Sequence, residues 1–120
     1  MAISARTSGG IGVIHVTGHM MDVPESTRLH KKVKTLIEKD VPWIVVNLGK
    51  VAWLNSKGVG ALVSGMTSCR NAGGDLVVAG ATKKVKSILS VTQIIRLIDS
   101  YENVGEAKEA LKVKMAGAGG

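Results

Sequence analysis

The chain has 120 residues, of which 45% are hydrophobic, with a net charge of +7, one cysteine and no phenylalanine. That length suits one domain around one core, no apolar run reaches the ~20 residues of a membrane span, and a lone Cys69 excludes an intrachain disulfide. Only Trp43, Trp53 and Tyr101 are aromatic, so the core must be built from Val, Ile, Leu, Met and Ala.

The first eight residues lack the apolar stretch of a signal peptide, and a soluble cytoplasmic protein is expected. The 16 Lys and Arg residues invite a nucleic-acid reading. They are scattered over 28–39, 83–86 and 108–114, however, with no interleaved aromatic residues to stack on bases. A solvated basic surface is the expectation, with no nucleic-acid partner and no membrane insertion.

Ile3 to Arg6 and Ile11 to Thr17 read as two strands joined by a turn at Thr7-Ser8-Gly9-Gly10, where glycine supplies positive φ. His15 stands alone in the second strand and is expected to be a surface or partly buried side chain more than a ligand. Gly18 to Val23 connects to a helix with Pro24 in its first turn and Asp22 as its cap. From Glu25 this helix carries one apolar stripe, Leu29, Val33, Leu36 and Ile37. Arg28, Lys31, Lys32, Lys34 and Lys39 fall on its other faces, and Asp40-Val41-Pro42 ends it. Trp43 to Leu48 is apolar except for Asn47, as expected of a strand covered on both faces.

The next helix starts at Ser56 or Lys57 and runs to Asn71. Val59, Leu62, Val63, Met66 and Cys69 form its large apolar face. A second row holds Gly58, Ala61, Gly65, Ser68 and Ala72, and a third holds Gly60, Ser64, Thr67 and Asn71. No charge appears between Lys57 and Arg70. Each interior glycine costs on the order of 1 kcal/mol against alanine, so the small rows are expected to meet either a neighbouring helix or a partner protein. Gly73-Gly74 stops the helix. Leu76 to Ala79 is a short buried strand, Thr82 caps a helix over Lys83 to Leu89, and a last strand is expected near Leu97 to Ser100. Asn103 and Glu106 have capping-box spacing. They open a final helix to about Val113, striped with Val104, Ala107 and Leu111. Residues 1–114 form the domain, and Met115 to Gly120 reads as a flexible tail.

The strand and helix alternation predicts an α/β domain with a mixed, mostly parallel sheet of about five strands and about four helices. Catalytic chemistry finds little footing. Cys69, His15, His19 and His30 lack zinc-ligand spacing, and Gly58 and Gly60 follow Ser56 instead of flanking it as a nucleophile elbow requires. Neither a dinucleotide fingerprint nor a Gly-Lys-Ser/Thr phosphate loop occurs. No enzyme, cofactor or metal is expected.

The element order, with Leu54-Asn55-Ser56-Lys57-Gly58-Val59-Gly60-Ala61-Leu62 at a strand-to-helix junction, resembles the STAS domain family, whose best-known members are bacterial anti-sigma factor antagonists. Supporting matches are Gly18 with Met20-Met21, Gly73-Gly74-Asp75-Leu76, and Ser100-Tyr101-Glu102 leading into Glu106-Ala107 and Ala110-Leu111. The resemblance covers about residues 3 to 113. It implies regulation by protein–protein binding, with an anti-sigma factor that is also a serine kinase-like ATPase as the partner. Ser56 matches the serine that the kinase phosphorylates, and Asn55, Ser56, Lys57, Gly58, Ala61 and Gly65 match the contact surface. Two positions depart from the usual motif: Asn55 replaces an aspartate, and Lys57 replaces a serine or threonine. The second reading is therefore a STAS scaffold in a stress-signalling assembly, or a partner of a lipid transporter, that binds without a switch. Homo-oligomer formation stays open.

Overall fold

The computed structural model describes residues 2–18 and 23–118. The predicted Asp22 cap, together with His19 and Met20-Met21, lies outside them. The elements are β1 (Ala2–Ser8), β2 (Ile11–Gly18), α1 (Val23–Glu38), β3 (Trp43–Val51), α2 (Ser56–Asn71), β4 (Asp75–Ala79), α3 (Lys83–Val91), β5 (Ser100–Tyr101) and α4 (Val104–Ala118). A single 3₁₀ turn over Ile94–Arg96 follows α3.

The sheet runs in chain order, β1 to β5; β1 pairs antiparallel with β2 and every other pair is parallel. The mixed, mostly parallel α/β sheet with four helices is as expected. The β1–β2 turn is two residues, Gly9 and Gly10, both at positive φ, a turn whose twist matches that of the strands.

Side chains alternate across the sheet up to an irregularity in the β2–β3 register after His15 and Asn47. Ile14, Val16, Ile44, Val46, Leu48, Leu76 and Val78 face the helical layer of α1, α2 and α3. Ile11, Val13, Val45, Val77 and Ala79 face Ala107 and Leu111 of α4. Both faces of β3 and β4 are therefore covered, which is why these strands read as continuous apolar runs.

Two helices end in the same way. After α1, Asp40 adopts φ 63°, and the Val41 N–H donates to the Leu36 carbonyl at 2.8 Å while Asp40 N–H donates to Ile37. After α2, Gly73 takes φ 88°, with Gly74 N–H donating to Cys69 at 2.8 Å and Gly73 N–H to Arg70. This bond pair satisfies the last carbonyls of a helix. Gly74 has a further reason to be glycine: an added Cβ would overlap the carbonyl of Pro42, whose oxygen accepts from Asp75 N–H.

Two boundaries differ from the sequence expectation. The last strand is Ser100–Tyr101, because residues 94–97 close into a 3₁₀ turn in which the Leu97 N–H donates to Ile94. The last helix runs to Ala118 instead of ending at Val113. Met115 packs against the α4 side of the sheet, so helix replaces the predicted tail as far as Ala118. The predicted Asn103 cap is present, its Oδ1 accepting from Glu106 N–H at 2.8 Å.

An ionic cluster ties the far end of α2 to β4 and α4. Asp75, 7% exposed, accepts from Arg70 Nε at 3.0 Å and from Lys114 Nζ at 2.7 Å, and Lys114 also reaches Asp99 at 2.8 Å. Burial by itself would raise the Asp75 carboxyl. The hydrogen bonds from Lys114, Arg70 and the Leu76 N–H outweigh it and hold the group below the usual carboxylate range. Lys114 is shifted upward: burial works against its charge, and the bonds to Asp75 and Asp99 prevail. Neighbouring Cys69 is fully buried. Burial first, and then the Asp75 charge, push its thiol up to about 12.

Candidate functional site

The junction between β3 and α2 places the motif residues. Val51 and Leu54 are buried in the α1–α3 side of the core, which pins the chain as it leaves the sheet. Asn55 has extended geometry, φ −93° and ψ −179°, and its Oδ1 accepts from Gly58 N–H at 2.9 Å. Its carbonyl accepts the first helical bond, from Val59 N–H at 3.0 Å. Asn55 is thus the N-cap, a position where asparagine ranks with the best residues.

That assignment decides the chemistry of Ser56. It is the first residue inside the helix, exposed, and takes no part in the cap. Its hydroxyl is therefore accessible, beside the unpaired N–H groups and partial positive charge of a helix start, a setting that tolerates an anion. Lys57 is also exposed.

The three rows of α2 separate cleanly. Val59, Leu62, Met66 and Cys69 enter the core. The second row turns to α1: Gly58, Ala61 and Gly65 are buried, and a Cβ at Gly65 would sit 3.1 Å from Leu76 Cδ1 and 3.4 Å from Val33 Cγ2. Gly65 permits a close approach of α1, α2 and β4. Gly58 and Gly65 are buried, while Ala61 and Ser68 of that row line openings between α1 and α2. The third row, Gly60, Ser64, Thr67 and Asn71, is exposed.

Between α1 and α2 runs an open groove of about 620 Å³. Its α2 wall is Ser56, Lys57, Gly60, Ala61 and Ser64. Its α1 wall includes His30, Lys31 and Lys34. Sequence reasoning singled out the α2 wall and missed the α1 wall. Lys31 and Lys34 flank the apolar stripe of α1, a signal visible in the sequence, but only the packing of the two helices brings them to the same groove as Ser56. Among the described residues, no group of three His, Cys, Asp or Glu side chains is arranged to hold a metal ion, and no helix is long and apolar enough to cross a membrane.

The family model of the STAS domain matches residues 2–107. The chain belongs to the STAS domain family. This STAS domain is 27% identical over 92 residues to a proposed anti-sigma factor antagonist of Thermotoga maritima, a match spanning 75% of this chain and 81% of that protein. Its fold is similar to the crystal structure of a proposed anti-sigma factor antagonist from Thermotoga maritima, with TM-score 0.83, 20% identity, and coverage of 92% and 94% of the two chains. It is also similar to the anti-sigma factor antagonist SpoIIAA in unphosphorylated form, at TM-score 0.79, 18% identity, and 92% and 96% coverage. The phosphorylated form of the Bacillus cell fate determinant SpoIIAA gives TM-score 0.70, 17% identity, and 91% and 98% coverage. At these identities the structural likeness concerns the fold.

Proposed function

We propose that this STAS domain is a regulatory protein of the anti-sigma factor antagonist type, which acts by binding a protein partner and not by catalysis. The partner is an anti-sigma factor that is also a serine kinase-like ATPase, and phosphorylation of Ser56 switches the binding. The observation that carries the proposal is the exposed Ser56 hydroxyl, released from capping by Asn55 and set at the mouth of the α1–α2 groove. Phosphate would add up to about two negative charges there. The helix start tolerates the charge within this protein. A partner seated on the small, uncharged wall of Gly60, Ala61 and Ser64 would meet added bulk and a repelled carboxylate.

The test uses the anti-sigma factor kinase of the source organism. With ATP it should phosphorylate the wild-type protein at Ser56, mapped by mass spectrometry, and leave Ser56→Ala unmodified. Calorimetry should show that the unmodified protein binds this partner and the phosphorylated one does not. Phosphate at another residue, or equal binding by both forms, would defeat the switch. Equal binding would favour the second reading, a constitutive scaffold or transporter partner, which Asn55 and Lys57 in place of the usual motif residues support.

A further inference from the structure

The groove beside Ser56 has walls of opposite character, and the difference points to the chemistry of its occupant. On the α2 side the side chains are small: Gly60 has open space where a Cβ would stand, and Ser64 is exposed. A partner backbone can approach this wall closely. The α1 side brings His30, Lys31 and Lys34 to the same space, with Lys57 at its end, and none of the described residues lining it is a carboxylate.

The basic character extends past the groove. Lys31 also lines an adjoining hollow with Arg28 and Lys32, while His30 and Lys34 continue into the next stretch between the helices, which reaches Glu38. Lys31 and Lys34 thus bring positive charge both to the groove and to the openings beside it. The ion pairs among the described residues use Arg70, Lys86, Lys112 and Lys114 and engage neither Lys31, Lys34 nor Lys57. Charges of one sign in a cleft with apolar walls focus the field and favour an oppositely charged visitor.

We infer that the α1–α2 groove is a docking surface for an acidic segment of the protein partner. Its Asp and Glu side chains face Lys31, Lys34 and Lys57, and its backbone lies against Gly60 and Ser64. This rests on the reading of the Ser56 face as the binding surface and names the chemistry of what binds there. It also supplies a second cause for the switch: a phosphate on Ser56 enters the groove that these lysines line and competes with the partner's carboxylates for their charge.

The experiment uses the full chain and a defined probe, a 15-residue helical peptide carrying five Glu residues, with its Gln counterpart as control. Binding is followed by fluorescence anisotropy and by amide chemical shifts in low salt. The Glu peptide should bind and the Gln peptide should not, with shifts concentrated in residues 26–34 and 56–64. Lys31→Glu with Lys34→Glu should weaken binding at least tenfold. Lys83→Glu with Lys84→Glu, the same change in net charge on exposed residues of α3, should weaken it less than twofold. Phosphoserine installed at position 56 should weaken it at least fivefold. No binding, equal loss in the two double variants, or shifts spread over α3 and α4 would overturn the inference. The peptide assay involves neither kinase nor sigma factor. A cognate partner blocked by phosphoserine but indifferent to Lys31→Glu with Lys34→Glu would therefore sink the acidic groove and leave the switch intact.

Discussion

Asn55→Ala and Ser56→Ala, adjacent substitutions in one motif, should behave very differently. In Asn55→Ala the Gly58 N–H loses its 2.9 Å acceptor at the start of a 16-residue helix. Loss of an Asn cap costs about 1 kcal/mol, within a range of about 0.5–2. Unfolding entropy near 60 °C is about 2.1 cal/mol/K per residue, or about 0.25 kcal/mol/K for 120 residues. One kilocalorie then lowers Tm by about 4 °C. Ser56 donates nothing to the cap and is exposed, so Ser56→Ala should stay within about 0.5 kcal/mol, or about 2 °C. Thermal unfolding followed by circular dichroism, with urea titration as a second measure, separates these values. A Ser56→Ala loss equal to that of Asn55→Ala would mean that Ser56 shares the cap, and the argument for an accessible hydroxyl would fail. Asn55→Asp should keep the cap and add favourable charge at the helix start, so its Tm should equal or exceed that of the wild type.

Asp75→Asn removes the charge that Arg70 and Lys114 pair with; because both cations are partly exposed, the cost should be about 2 kcal/mol, below the 3–5 of a fully buried pair, read by urea unfolding at pH 7. The Asp75 pKa is lowered on folding, so its stabilisation is complete above the ordinary carboxylate value of about 3.9 and is lost as pH falls below it through the folded value; the Asp75→Asn stability curve should be flatter there. Lys114 is raised, so its share is complete below about pH 10.5 and is lost as pH rises through the folded value. Cys69, buried with its thiol pushed up to about 12, should resist iodoacetamide at pH 8 in the native protein and react on unfolding in urea; rapid native alkylation would show that α2 opens locally. Gly74→Ala should cost more than Gly73→Ala, since the latter meets only the left-handed backbone penalty of about 1–2 kcal/mol while the former drives a Cβ into the Pro42 carbonyl; equal Tm losses would refute the close-approach argument.

Much of this protein is local, and the local part was legible. The continuous apolar runs of β3 and β4, the stripe of Leu29, Val33 and Leu36, the Gly73 stop and the Asn103 cap all act within a few residues, so spacing alone places them. The same holds for the motif around Ser56, where a strand end, a cap and a small-residue helix follow one another. Residues 94–101 were misjudged because an apolar run there folds as a 3₁₀ turn, and periodicity cannot separate a short strand from a turn of helix. Composition misread residues 115–118, because glycine and alanine look loose until Met115 finds the sheet.

The tertiary structure decided what depends on two elements meeting. The sequence by itself determined that α2 has three rows and that two of them are small. Only the packing of Val33 against Gly65 showed that one small row is spent on α1 and the other left to solvent. In the same way, Asn55 and Ser56 were both able to cap; backbone geometry selected Asn55 and left the serine hydroxyl exposed. The lysines of α1 become part of the Ser56 site by crossing about 25 positions of sequence through the fold, a distance that no pattern along the chain encodes, because charge acts through space and not along the backbone.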